Sequence, residues 1–140
     1  MNDKKSVLFL CTHNSCRSQI AEGLLNNIFG THYKAYSAGI EKTSVNPYAL
    51  EVMKEIGIDI SKQYSKSIEE FHGCNFDFVV TVCDNAKESC PFFPGKNIIH
   101  KSFKDPSKVK GKIEDILEAF RNTRNEIKNW IEEKFASKVD

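Results

Sequence analysis

The 140-residue chain is poor in punctuating and bulky special residues: it has four prolines, seven glycines, two methionines and one tryptophan. No internal repeat or low-complexity tract occurs, and no Pro- or Gly-rich linker divides the chain. It also lacks an excess of either charge. Twenty Lys and Arg stand against nineteen Asp and Glu, a formal net charge of +1, so no general field favours nucleic acid or an anionic membrane as partner. Long hydrophobic runs are missing too. Nothing approaches the roughly 18 apolar residues of a membrane span, and the short run VLFLC after MNDKKS does not make a secretory core. The expectation is one cytoplasmic domain over residues 1–140, monomeric, with no bound cofactor. In a reducing compartment the odd set Cys11, Cys16, Cys74, Cys83 and Cys90 argues against a structural disulfide frame and towards catalytic or redox thiols.

What is present is an alternation of strand-like and helix-like segments. Val7 to Leu10 is a continuous apolar run, as in a parallel strand covered on both faces. Ile20, Leu24 and Ile28 then recur every four residues in a helix from Ser18 to Phe29, stopped by Gly30. A second strand is expected at Tyr33 to Ser37. Asn46 followed by Pro47 starts a helix whose inner stripe is Leu50, Met53 and Ile56. A short helix around Ser67 to Phe71 leads to the strand FDFVVTV, and Asn97 to His100 reads as a fourth strand. The last helix carries a stripe of Ile113, Ile116, Leu117, Phe120, Ile127, Ile131 and Phe135, broken by Arg124. This order predicts an α/β fold, a four-stranded parallel sheet flanked by helices on both faces and joined by right-handed crossovers. In such a sheet all strands end at one edge, where ligands bind. Cys11, Ser37, Cys83 and the segment from His100 to Asp105 should therefore converge.

The stretch LFLCTHNSCRSQ carries the clearest chemistry. A loop of Cys-x5-Arg lies between a strand and a helix, so loop amides and the first helical turn offer N–H donors at the positive helix end. Thr12, His13, Asn14, Ser15, Cys16, Arg17 and Ser18 would cradle a tetrahedral oxyanion, with Arg17 closing over it through its planar fork. The same field favours the thiolate at Cys11, and Ser18 can donate to its sulfur. A thiolate facing a bound oxyanion is an activated nucleophile. A Walker loop is excluded because its lysine and glycines are absent. Zinc is disfavoured, since neither Cys11 with Cys16 nor Cys83 with Cys90 has the usual short ligand spacing; no metal site is expected. Asp105 before Pro106 reads locally as a turn residue, but its position after the last strand also suits an acid at the site.

The motifs CTHNSCRSQIAEG, YSAGIE, VNP, GIDIS, VVTVC, CP and DP together resemble the thioredoxin-coupled arsenate reductases built on the low-molecular-weight tyrosine phosphatase fold. The resemblance covers nearly the whole chain. It implies that Cys11 attacks arsenic(V), that Arg17 and the loop hold its oxygens, and that Asp105 protonates the departing hydroxyl. It further implies that Cys83 attacks Cys11 and releases arsenite, and that Cys90 then forms a disulfide with Cys83. Thioredoxin would be the external reductant. Cys83 and Cys90 by themselves would read as a buried strand-end residue and a surface thiol.

Some residues depart from the family pattern. Better-known members bind potassium near the loop; Asn14, Glu22 and Ser37 match three of its ligands, but Lys66 takes the place of an acidic fourth. An ammonium there should leave little potassium dependence. His13 stands where glycine is common, and KSFKDP replaces a more aromatic, more acidic stretch. Cys16 should pack beneath the loop, Trp130 should be partly buried, and Cys74, His32, His72 and His100 should be bystanders. The nearest rival is a phosphatase, but Ser107 and Lys108 replace the tyrosines that usually follow the aspartate–proline pair in such enzymes. A second rival is a non-enzymatic redox or arsenic sensor.

Overall fold

The structure, a computed structural model, describes residues 4–83 and 93–136. In chain order it contains β1 (Lys5–Leu10), α1 (Arg17–Ile28), β2 (Tyr33–Ala38), α2 (Pro47–Lys54), a 3₁₀ helix (Ile68–Phe71), β3 (Phe78–Thr81), β4 (Asn97–His100), a second 3₁₀ helix (Pro106–Lys108) and α3 (Ile113–Ala136). The strands form one parallel sheet in the order β2-β1-β3-β4. β1 is central, which is why its apolar run is continuous: Val7, Leu8, Phe9 and Leu10 are all fully buried. It begins two residues earlier than the apolar run. Lys5 donates its N–H to the His32 carbonyl and Ser6 donates to Asp77 Oδ2 at 2.8 Å, so polar residues continue the pairing.

All three α-helices pack on one face, where Val7, Phe9, Phe78 and Val80 meet Ile20, Leu24, Val52, Met53, Phe120 and Ile127. The other face, with Leu8, Leu10 and Val79, is covered among the described residues by the 3₁₀ turn Ile68–Phe71 and by Phe76 and Phe93, so the helical cover expected on this face takes the form of one short turn. There Tyr36, Phe71, Phe76 and Phe93 form a chain of edge-to-face rings with centroids 5.6–5.8 Å apart, a favoured aromatic geometry. Among the described residues no helix is long and apolar enough to cross a membrane.

The helix starts follow local chemistry. Asn46 Oδ1 accepts from the Tyr48 N–H at 2.8 Å and Pro47 occupies the first turn. Gly57, with φ of +79°, follows the end of α2. The fully buried residues of α2 are Ala49, Val52 and Met53, while Leu50 and Ile56 of the expected stripe pack against the same core partly buried, because α2 lies against α1 as well as α3. In α3, Ile113 is exposed and the buried face begins at Phe120. Arg124, the break in the stripe, points inward: its Nη1 donates to the Val52 carbonyl at 2.8 Å and to Glu55 at 2.9 Å. Its charge closes the C-terminal end of α2, where carbonyls lack helical partners. Trp130 is partly buried, edge-on to Phe103 and Phe135.

With every strand parallel, the C-terminal ends share one rim. The chain leaves β1 for β2 on one side, while β3 flanks it on the other, so Cys11 follows the strand at the point where strand order switches. Ser37 remains within β2, paired with Phe9. The segment from Lys101 onward leaves β4 at the same rim.

Candidate active site

The loop between β1 and α1 is pinned from outside. The Thr12 carbonyl accepts from the Ile40 N–H, His13 from Thr43 Oγ1 and Ser65 Oγ, Asn14 from Gln19 Nε2, and Ser15 from the Asn46 N–H. In a trans peptide the next N–H points opposite to the carbonyl. Four outward carbonyls therefore turn the amides of His13, Asn14, Ser15 and Cys16 inward. Asn14 adopts φ of +50°, a left-handed conformation that asparagine tolerates. Gly39 makes the tight winding possible: a Cβ there would lie 2.7–2.8 Å from Thr12 O, Asn14 N and Cys11 O. α1 then starts with Cys16 making no side-chain cap and no acidic residue in the first turn, so its positive end remains available to an anion.

Behind the nucleophile runs a directed hydrogen-bond chain. The Lys66 N–H fixes the Asn14 amide by donating to Oδ1 at 2.8 Å, joined by Gln19 Nε2 at 2.9 Å. Asn14 Nδ2 therefore donates to Ser18 Oγ at 2.8 Å, and the one hydroxyl hydrogen of Ser18 is left for Cys11 Sγ, 2.8 Å away. Gln63 Nε2 holds Gln19 Oε1 at 2.8 Å. Cys11, Asn14, Ser18 and Gln19 are all buried, so the chain operates in a low-dielectric surrounding where such bonds are strengthened.

Arg17 Nη1 donates to the Phe103 carbonyl at 3.1 Å, and Nη2 lies 3.6 Å from Asp105 Oδ2. Asp105 is the turn residue that its local sequence suggests, and it also lies at the site. Its Oδ1 caps the 3₁₀ helix by accepting from Ser107 N–H and Oγ at 3.0 and 2.7 Å, while its residue lines a cavity with Cys11, His13, Ser15, Cys16, Arg17 and Ser107. Asn14 and Ser18 sit behind that cavity and act through the hydrogen-bond chain. Burial, with Asp105 adding to it, pushes the Cys16 thiol up to about 12, so the second loop cysteine stays protonated at neutral pH and is a poor competitor for Cys11.

Cys83 is buried beside this site. The Val82 N–H donates to the Leu10 carbonyl at 2.9 Å, one step beyond the Leu10–Thr81 register. Cys11 and Cys83 thus leave adjacent strands, about 4.8 Å apart, one position out of step. Cys83 is disulfide-bonded, whereas Cys11, Cys16 and Cys74 are free thiols. Cys90 lies outside the described residues. Cys74, His32, His72 and His100 are exposed.

The residues matched to potassium ligands also meet. Ser37 Oγ donates to Glu22 Oε1, and Lys66 Nζ lies 3.8 Å from that oxygen while donating to the Tyr64 carbonyl at 2.7 Å. Burial raises the Glu22 pKa, with Ser37 and Lys66 opposing it; burial lowers that of Lys66, with Glu22 opposing it. Among the described residues no group of three or more His, Cys, Asp or Glu could hold a metal ion.

Sequence reasoning missed Gly39, Gln19, Gln63, the Phe103 carbonyl and Ser107 as parts of this site. Only Gly39 left a local signal, a glycine directly after a strand.

The chain is similar to known proteins in sequence and fold. The family model of the low molecular weight phosphotyrosine protein phosphatases matches residues 6–139. An arsenate reductase of Halalkalibacterium halodurans is 48% identical over 126 residues, covering 89% of this chain and 91% of that protein. A solved arsenate reductase in its phosphate-binding state superposes with a TM-score of 0.81 at 33% identity, covering 95% of this chain and 98% of the other. A thioredoxin-dependent arsenate reductase of Corynebacterium glutamicum gives a TM-score of 0.62 at 30% identity, with 92% of this chain and 62% of that one aligned. The chain belongs to the low molecular weight phosphotyrosine protein phosphatase family and groups there with arsenate reductases.

Proposed function

We propose that this protein is a cytoplasmic, monomeric, thioredoxin-dependent arsenate reductase without a bound cofactor. The observation that carries the reading is the exit of Cys11 and Cys83 from neighbouring strand ends, locked by the Val82–Leu10 hydrogen bond. A phosphatase needs one thiol and an acid; reduction of arsenic(V) needs a second thiol beside the first.

The Cys11 thiolate attacks arsenic, held by the loop amides and Arg17, and a hydroxyl leaves as water after taking a proton from Asp105. The Cys83 thiolate then attacks Cys11 Sγ. The S–As bond breaks with its electron pair passing to arsenic, which departs as arsenite, and a Cys11–Cys83 disulfide remains. Cys90 attacks Cys83, freeing the Cys11 thiolate and leaving a Cys83–Cys90 disulfide. A dithiol of thioredoxin reduces that bond and is itself oxidised. A bonded Cys83 beside a free Cys11 is the distribution expected after the second exchange.

The test is NADPH oxidation coupled to arsenate through thioredoxin and thioredoxin reductase. Turnover is expected, and Cys83→Ser or Cys90→Ser should abolish it while weak phosphomonoester hydrolysis survives. Hydrolysis as the sole activity of the parent would make it a phosphatase, and stoichiometric thiol oxidation without turnover would make it a sensor.

A further inference from the structure

The charge of this nearly neutral chain is unevenly placed. Residues 96–112 carry six lysines and one carboxylate, Asp105, leaving 14 basic against 18 acidic residues elsewhere. Three of those lysines frame the cavity wall that faces the Cys11 loop. Lys101 donates its N–H to the Thr81 carbonyl at the rim, and its ammonium lies 5.6 Å from the Phe103 ring, whose own carbonyl holds Arg17. Lys104 immediately precedes Asp105. Lys108 closes the 3₁₀ turn by donating its N–H to the Asp105 carbonyl, next to Ser107 in the cavity wall. All three are exposed.

The site itself is short of positive charge. Arg17 faces Asp105 at 3.6 Å, and the α1 N-terminus supplies about half a unit. Against these stand an incoming oxyanion and the Cys11 thiolate that must attack it. On the opposite rim Glu41 lies 4.0 Å from His13, adding no net attraction. The loop amides add dipoles but no net charge, so further attraction has to come from outside the buried shell, where Lys101, Lys104 and Lys108 are exposed.

We propose that Lys101, Lys104 and Lys108 are a recruiting rim that draws tetrahedral oxyanions into the Cys11 cavity. The role builds on the proposed arsenate chemistry but needs only anion binding. These residues touch no reacting atom; they raise the local concentration of the anion and speed its entry, an effect that salt screens over about 8–10 Å. A small anion is favoured over an acidic protein because the lysines flank the very residues that line the cavity.

The experiment compares the parent with the Lys101→Gln/Lys104→Gln/Lys108→Gln triple variant and its Lys→Arg counterpart. At low ionic strength the Gln variant should lose roughly 3- to 10-fold in kcat/KM for arsenate, with kcat and the KM for thioredoxin unchanged. Its profile against salt should be flatter, and the Arg variant should match the parent. The same pair is compared in a Cys11→Ser background by titrating inorganic phosphate and following Trp130 fluorescence, since Trp130 packs 6.2 Å from Phe103. This second readout holds even if the chain does not reduce arsenate. Identical salt profiles and phosphate affinities in parent and Gln variant would overturn the rim. So would a change confined to the KM for thioredoxin, which would make the lysines a docking surface for an acidic protein.

Discussion

Replacing Ser18 by alanine tests the hydrogen-bond chain where it meets the nucleophile. The Ser18 hydroxyl accepts from Asn14 and points its only hydrogen at Cys11 Sγ, each contact at 2.8 Å and fully buried. A hydrogen bond to a charged partner contributes about 1.5–3 kcal/mol. At 1.36 kcal/mol per decade this is roughly a 10- to 150-fold loss. The loss should fall on kcat/KM for arsenate, which covers events up to the first irreversible step, because the attacking thiolate is the species the bond stabilises. Ser18→Ala also strands Asn14 Nδ2, so thermal unfolding must be measured alongside, with a cost of about 1–3 kcal/mol expected. Ser18→Thr restores the hydroxyl and should recover most of the rate. A folded Ser18→Ala protein with kcat/KM within threefold of the parent would show that the bond does not support the nucleophile.

Three further outcomes follow from the same geometry. Arsenate turnover should be unchanged on adding potassium, because the Lys66 ammonium already sits 3.8 Å from Glu22; Lys66→Asp should create a potassium requirement, read by titrating the salt at constant ionic strength. Gly39→Ala places a methyl 2.7–2.8 Å from three loop backbone atoms, so phosphate affinity followed by Trp130 fluorescence should fall at least tenfold, and an unchanged affinity would mean the loop yields without cost. Asp77 is held below the usual carboxylate range, chiefly by the Ser6 N–H and then by Lys96. A lowered native pKa gives stability present above the unfolded value and lost as pH falls through the native one, so the deficit of Asp77→Asn, about 1 kcal/mol at pH 7 in urea unfolding, should shrink progressively once pH drops below the ordinary carboxylate value and the Asp77 carboxylate takes up its proton.

The parts of this molecule legible in its sequence are those written in side-chain pattern. VLFL announced a strand covered on both sides, and Asn46–Pro47 announced a helix start, because each signal is local. The oxyanion loop was legible for the same reason: a cysteine, five residues and an arginine between a strand and a helix admit few other uses. What could not be read lies in backbone groups and in charges that turn inward. The Phe103 carbonyl that holds Arg17 has no sequence signature, and Gln19 is an ordinary helical polar residue until Gln63 and Asn14 close on it.

Arg124 and Lys66 make the physical reason plain. A pattern assigns a lone charge to the solvent side because burying it unpaired is costly. Arg124 breaks the apolar stripe of α3 yet is buried, since Glu55 and the free carbonyl end of α2 meet it there. Lys66 replaces an acid expected beside a cation, yet is buried too, because Glu22 lies opposite. In both cases the partner is remote in sequence, and the decision between surface and interior belongs to the pair. A cation in an apolar pattern is therefore a reason to look for an unpaired carboxylate on the elements that could face it. By that rule the lysines from 101 to 108 fall into a different class: they are exposed and have no carboxylate within ion-pair distance among the described residues, as suits charges that act on a mobile anion and not on a fixed partner.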